Sequence, residues 1–257
     1  MTDTSYPVQG QDFERGYKAR NIRAVVGQYL TEKQYSILIP IEILVLYWVV
    51  SAVIVLLMGI KAGLPLPVGM QNSNAGGNIG AVFCFPYFLI VAGALCVNRQ
   101  FNAAMSFGST RRDFWLGTML GFLCTSMSIG VFTILGLAVE QLSGHWWFGV
   151  HAFDVAVLGS GNYAVAFFTV FILSMTSLLA GATYGTVFRS FGSKSLTISL
   201  ICTVLVLLGL LAIVIWQSTA IVGFFATWGV WTVGGILSLA CVAMAVTGYF
   251  VNQHATV

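Results

Sequence analysis

The chain is poor in charge: Asp, Glu, Lys and Arg make up 7% of its 257 residues, against 58% apolar residues. A water-soluble domain of this size needs more polar surface than that to cover itself, so lipid must supply most of its solvent. Histidine is scarce, with three residues, and the five cysteines (Cys84, Cys96, Cys124, Cys202 and Cys241) fall in apolar stretches without CxxC spacing. They read as small buried residues rather than metal or redox groups. Missing too is any paired-carboxylate, Ser-His-Asp or Cys-His arrangement at a single depth. A phosphate-binding loop is also lacking. Gly192-Ser193-Lys194-Ser195 puts a serine between the glycine and lysine that G-x-x-x-x-G-K-[ST] requires to be adjacent. The chain is therefore not expected to be an enzyme or to carry a cofactor of its own. Its net charge of +3 is accounted for by membrane orientation and lipid headgroups, without nucleic acid.

What the sequence has is six apolar runs, at about 37–60, 79–98, 114–139, 161–188, 195–216 and 224–251. A hydrocarbon core is crossed by about 20 helical residues, and the runs are continuous rather than alternating, which favours helices over barrel strands. Of the eleven Lys and Arg residues, only Lys61 falls outside three hydrophilic stretches: before the first run, between the second and third, and between the fourth and fifth. Short basic loops stay cytoplasmic. The expected fold is thus an all-α integral membrane protein with six transmembrane helices and both termini cytoplasmic. Its parts are a cytoplasmic tail and amphipathic helix over 1–34, the membrane domain over 35–251 and a short tail over 252–257. The first 34 residues lack the apolar core of a cleaved signal. From Asp12 to Lys33, apolar residues at three- and four-residue spacings alternate with Arg15, Lys18, Arg20 and Arg23. That pattern suits a helix in the headgroup layer, or one covering another part of the protein.

Three external connections are expected. The first is rich in turn residues; the second carries Glu140, His145, Trp146, Trp147, Phe148, His151 and Asp154. Tryptophans there read as interfacial anchors. A zinc site from the acids and histidines matches no motif spacing, so no metal is expected. The stretch 217–228 has length to spare for a re-entrant helix. Gly117 with Gly121, and Gly181 with Gly185, have the spacing of close helix contacts. Thr125, Ser128 and Thr133 in the third run, and Thr169 and Thr176 in the fourth, serve either as interhelical hydrogen-bonding groups or as the lining of a translocation path.

The most informative local stretch runs from Asn98 to Phe114. Phe101, Ala104, Met105 and Gly108 are spaced for a short amphipathic helix, Gly108 suits a left-handed stop, and Thr110-Arg111-Arg112-Asp113 has capping-box spacing, so a helix should begin at Arg111. Two arginines in a first helical turn oppose the helix dipole by roughly 0.3–1 kcal/mol each. Lipid phosphates or a partner surface should offset that.

Phe107-Gly108-Ser109-Thr110-Arg111-Arg112-Asp113-Phe114, lying between the second and third of six spans, resembles the first cytoplasmic loop of bacterial type-2 ATP-binding cassette (ABC) transporter permeases. The layout of the whole chain is similar as well. The resemblance implies a half-transporter in the bacterial cytoplasmic membrane, an exporter of amphipathic or hydrophobic compounds such as a drug or antimicrobial peptide. Its partners would be a second permease chain, identical or not, and a separate ATPase subunit that binds ATP and Mg. It implies a coupling helix from about Asn98 to Ser109. Phe101, Asn102, Met105 and Phe107 would be contacts to the ATPase, Gly108 and Thr110 would form the turn, and Arg111 and Arg112 would reach the ATPase or lipid. Arg189 and Lys194 would make a smaller cytoplasmic contact. An ATP-independent carrier or channel, or a non-transporting scaffold or immunity protein, are the alternatives; scarce intramembrane charge counts against the carrier.

Overall fold

The computed structural model describes residues 26–27, 38–62, 79–106, 108–146, 151–155, 158–216 and 230–253. The expected interfacial helix, apart from residues 26–27, the first external loop, Phe107 and the segment 217–228 lie outside the described residues. Among these residues five helices follow in order: α1, Ile39–Ala62; α2, Ile79–Ser106; α3, Arg111–Leu142; α4, Tyr163–Trp216; and α5, Val230–Gln253. No strand occurs among the described residues. Uninterrupted apolar sequence gives this result because, in lipid, a helix satisfies its own backbone hydrogen bonds.

Among the described residues, four helical stretches are long and apolar enough to cross a membrane: Phe85–Ser106, Arg111–Leu142, Tyr163–Val206 and Gly234–Gln253. The chain is an all-helical, multi-pass membrane protein. α1 contributes a shorter apolar stretch, Leu44–Leu57. α4 is 54 residues long but is interrupted at Gly192, where φ is 78° and ψ is −176°. Tyr184 Oη donates to Thr203 Oγ1 at 2.9 Å, although a straight helix would hold these residues about 28 Å apart. The chain therefore folds back at Gly192 into two limbs, 163–191 and 193–216, where the sequence places a basic connection between its fourth and fifth runs.

α4 is the hub, packing most extensively on α2, then on α5 and α3. At the α2–α4 crossing the backbones touch. A Cβ on Gly181 would lie 1.9 Å from the carbonyl oxygen of Ile90, one on Gly93 2.3 Å from that of Leu178, and one on Gly185 3.0 Å from that of Ala94. The Gly181–Gly185 pair thus does what its spacing predicts, and Gly117 and Gly121 are buried in α3. Phe101, Phe114, Trp115, Phe122, Ile129 and Leu179 fill the interior, whereas Val45, Leu57, Leu205 and Leu239 are exposed. Exposed aliphatic side chains on every side are what a lipid-facing surface requires, since tails are as apolar as leucine.

Candidate functional site at the α2–α3 turn

α2 does not end near residue 98. Nothing between Val97 and Ser106 breaks a helix, so the stretch expected as a separate short helix is the last part of α2. The helix stops as the glycine predicts. Gly108 has φ 77°, its N–H donates to Met105 O at 3.0 Å, and Ser109 N–H donates to Ala104 O at 3.1 Å, the paired bonds of a Schellman motif. Thr110 then caps α3, its Oγ1 accepting from Asp113 N–H at 3.1 Å, and α3 begins at Arg111.

Phe101, expected to face outward, is 0% exposed. Helical spacing puts it on one stripe with Val97 and Ala104, both also buried, and this stripe faces the core. Its ring meets Phe114 edge-on at 5.2 Å and carries the Arg189 guanidinium 3.5 Å above its face, a cation–π contact. Met105 is half-buried against the same core. Arg189 Nη2 also donates to Asn252 Oδ1 at 3.0 Å. Asn252 Nδ2 donates to Arg111 O at 2.8 Å, and Arg111 Nη1 donates to Gln253 O at 2.9 Å. The group that offsets Arg111's place at the positive end of α3 is therefore the carbonyl-rich, negative end of α5. Arg189 likewise turns inward. Asn252 and Gln253, which read as tail in the sequence, are the partners that spacing gave no sign of. Asn102, Gly108, Thr110 and Arg112 are exposed at the tip, and Lys194 is exposed beside the Gly192 turn.

At the far end of α3, Glu140 is 0% exposed. Its Oε1 accepts from the N–H groups of Ala152 at 3.2 Å and Asp154 at 3.3 Å, and its Oε2 accepts from Phe153 at 2.8 Å. The loop is thereby wrapped around one carboxylate. Tyr47 of α1 donates its hydroxyl to Ala152 O. His145 Nδ1 lies 3.7 Å from Glu140 Oε1, and the His145 and His151 rings are 4.1 Å apart. Burial, then the charge of His145, lowers the pKa of His151 below its ordinary value. A cavity of about 340 Å³ adjoins this end, lined by Leu44, Trp48, Phe132, Trp146 and Phe153 among others.

No family model, curated protein or solved structure matches the chain.

Of the hydroxyls expected either to glue helices or to line a path, those of α3 bond back to their own helix. Thr125 donates to Gly121 O at 3.1 Å, Ser128 to Cys124 O at 3.0 Å and Thr133 to Ile129 O at 2.9 Å. Thr176 donates to Ile172 O at 2.7 Å and lies 3.2 Å from Leu237 O of α5, a bridge between helices. Thr183, which the sequence did not single out, repeats this arrangement with Met244 O at 3.1 Å. Thr169 is buried. Thr133 also lines a small apolar cavity of about 30 Å³ with Tyr47, Phe85 and Phe153, room for about one water.

Proposed function

We propose that the chain is the membrane-spanning subunit of an ATP-binding cassette exporter of amphipathic or hydrophobic compounds, driven by a separate ATPase subunit that seats on the α2–α3 turn. In this reading α1, α2, α3, both limbs of α4, and α5 are six crossings. An even number brings both termini to one face of the bacterial cytoplasmic membrane, together with the α2–α3 and Gly192 turns. These turns carry Arg99, Arg111, Arg112, Arg189 and Lys194, the excess expected of a cytoplasmic face. A second permease chain completes the path, and ATP with Mg resides on the ATPase.

The observation that carries this reading is the construction of the turn. A lever must be stiff behind and accessible in front. Phe101, Phe114, Arg189 and Asn252 brace it from within, while Asn102, Gly108, Thr110 and Arg112 stand at the exposed tip. In this assignment the tip residues and Lys194 meet the ATPase, and Phe101, Met105, Arg111 and Arg189 hold the tip in place. The apolar cavity beside Trp48 and Trp146 suits the hydrophobic part of a transported compound.

The test is copurification of the chain with a soluble ATP-binding cassette ATPase from its native cells. Gly108→Asp and Arg112→Glu should each weaken retention by about tenfold, equivalent to about 1.4 kcal/mol, with normal insertion. Undiminished retention in the combined variant would remove the coupling assignment, and transport in ATP-free vesicles under an ion gradient would replace it with a carrier.

A further inference from the structure

Two of the chain's three histidines converge on its one fully buried carboxylate among the described residues. Their sequence spacing from Glu140 matches no metal motif. The fold nevertheless brings one ligand atom from each of Glu140, His145 and His151 to within 4.8 Å of the others. We propose that Glu140, His145 and His151 bind a divalent transition metal of the zinc class at the end of α3 opposite the α2–α3 turn.

The donor set fits. Two imidazole nitrogens and a carboxylate oxygen are each accepted by Zn²⁺, and three protein ligands leave a fourth position for water. Ligand atoms around a tetrahedral Zn²⁺ stand about 3.3 Å apart, given bonds of about 2.0–2.1 Å. The widest pair of ligand atoms therefore has to close by about 1.5 Å.

The surroundings favour a metal over a simple ion pair. Three backbone N–H groups already orient the Glu140 carboxylate, in the way that outer hydrogen bonds orient metal ligands. The turn that carries His145 is strained. His145 and Trp146 have φ of 59° and 57°, left-handed conformations that cost non-glycine residues of order 1–3 kcal/mol each and persist at sites where the geometry is used. A salt bridge to Glu140 would need one histidine. The second ring, 4.1 Å from the first, would be repelled if both were charged, whereas a shared cation uses both as neutral ligands. A bound ion would tie together the end of α3, the 143–146 turn, the 151–155 loop and, through the Tyr47–Ala152 bond, α1.

The experiment uses the full chain, free of any polyhistidine tag, in lipid nanodiscs. Titration with ZnCl₂ should show one ion per chain, and CoCl₂ should give the visible absorption of a four-coordinate ion. His145→Ala and His151→Ala should each weaken binding by about 10–100-fold or more, a loss at least as large as that from removing an outer-shell partner. Glu140 is left in place to preserve the loop. Should either variant fold poorly, the wild-type chain alone decides: Zn²⁺ should slow hydrogen exchange at 151–155 and EDTA should reverse it. Uptake unchanged in the double histidine variant, uptake absent from the folded wild type, or exchange at 151–155 indifferent to Zn²⁺ would each overturn the site.

Discussion

Gly181 has no space for a methyl group. The nearest atom to a Cβ there is the Ile90 carbonyl oxygen at 1.9 Å, and backbone cannot swing aside as a side-chain end can. Gly181→Ala should therefore push α2 from α4 and destabilise the protein by about 1–3 kcal/mol, the usual cost of overpacking. Gly209→Ala is the internal control, because nothing lies within 4 Å of a Cβ at that position. It should be neutral to within about 0.5 kcal/mol. Denaturant unfolding in mixed micelles compares the two, and equal midpoints would mean that the α2–α4 crossing is looser than described. Both residues are glycines in α4, so position against a neighbouring helix, rather than residue type, separates the outcomes.

At the level of elements, Asn252 joins three helices: it accepts from Arg189 of α4, donates to the Arg111 carbonyl of α3 and itself belongs to α5. Asn252 is 1% exposed. Asn252→Ala would strand a buried carbonyl and a guanidinium N–H, at a cost of about 1–3 kcal/mol for each buried group left unpaired, and should speed hydrogen exchange at 250–253. Asn252→Asp keeps the acceptor for Arg189 while losing the donor to Arg111, so its effect should fall between alanine and wild type. An alanine variant as stable and protected as wild type would show that the α5 end is held by packing alone. Much of this region was legible in the sequence. The left-handed stop at Gly108, the Thr110 cap and the α3 start at Arg111 are local, and local chemistry decides them. The Gly181–Gly185 seam follows from spacing, and the fold-back at Gly192 from composition. The inward turn of Phe101 and Arg189 was not legible, because it depends on which face of α2 meets α4. Nor was the partner of Arg111, which lies 142 residues away. The clustering of Glu140, His145 and His151 depends on two left-handed residues at 145 and 146 and on a loop folded over a buried acid; ligand spacing along the chain carries neither.

For the whole molecule, the proposed six crossings make a definite statement about sidedness. Single cysteines placed at Asn102, Lys194 and Asp154 in a cysteine-free background should divide in intact cells. A membrane-impermeant maleimide should label position 154 and leave 102 and 194 unlabelled until the membrane is opened. Labelling of 102 in intact cells would reverse the orientation, and labelling of 102 and 194 on opposite faces would mean that the Gly192 fold-back is not a crossing pair. α3 also has a mechanical meaning. It is a single 32-residue helix, about 48 Å long, fastened by hydrogen bonds at both ends: Arg111 to α5 at one, Glu140 to the 151–155 loop at the other. A rod pinned in this way cannot absorb a push by bending at a frayed end. A tilt of roughly 10° imposed at the Arg111 end would carry the Glu140 end sideways by about 8 Å over that length, or else break one of the fastenings. Work done on one face of the membrane would thus arrive on the other as displacement of the loop around Glu140, with α3 as the connecting rod.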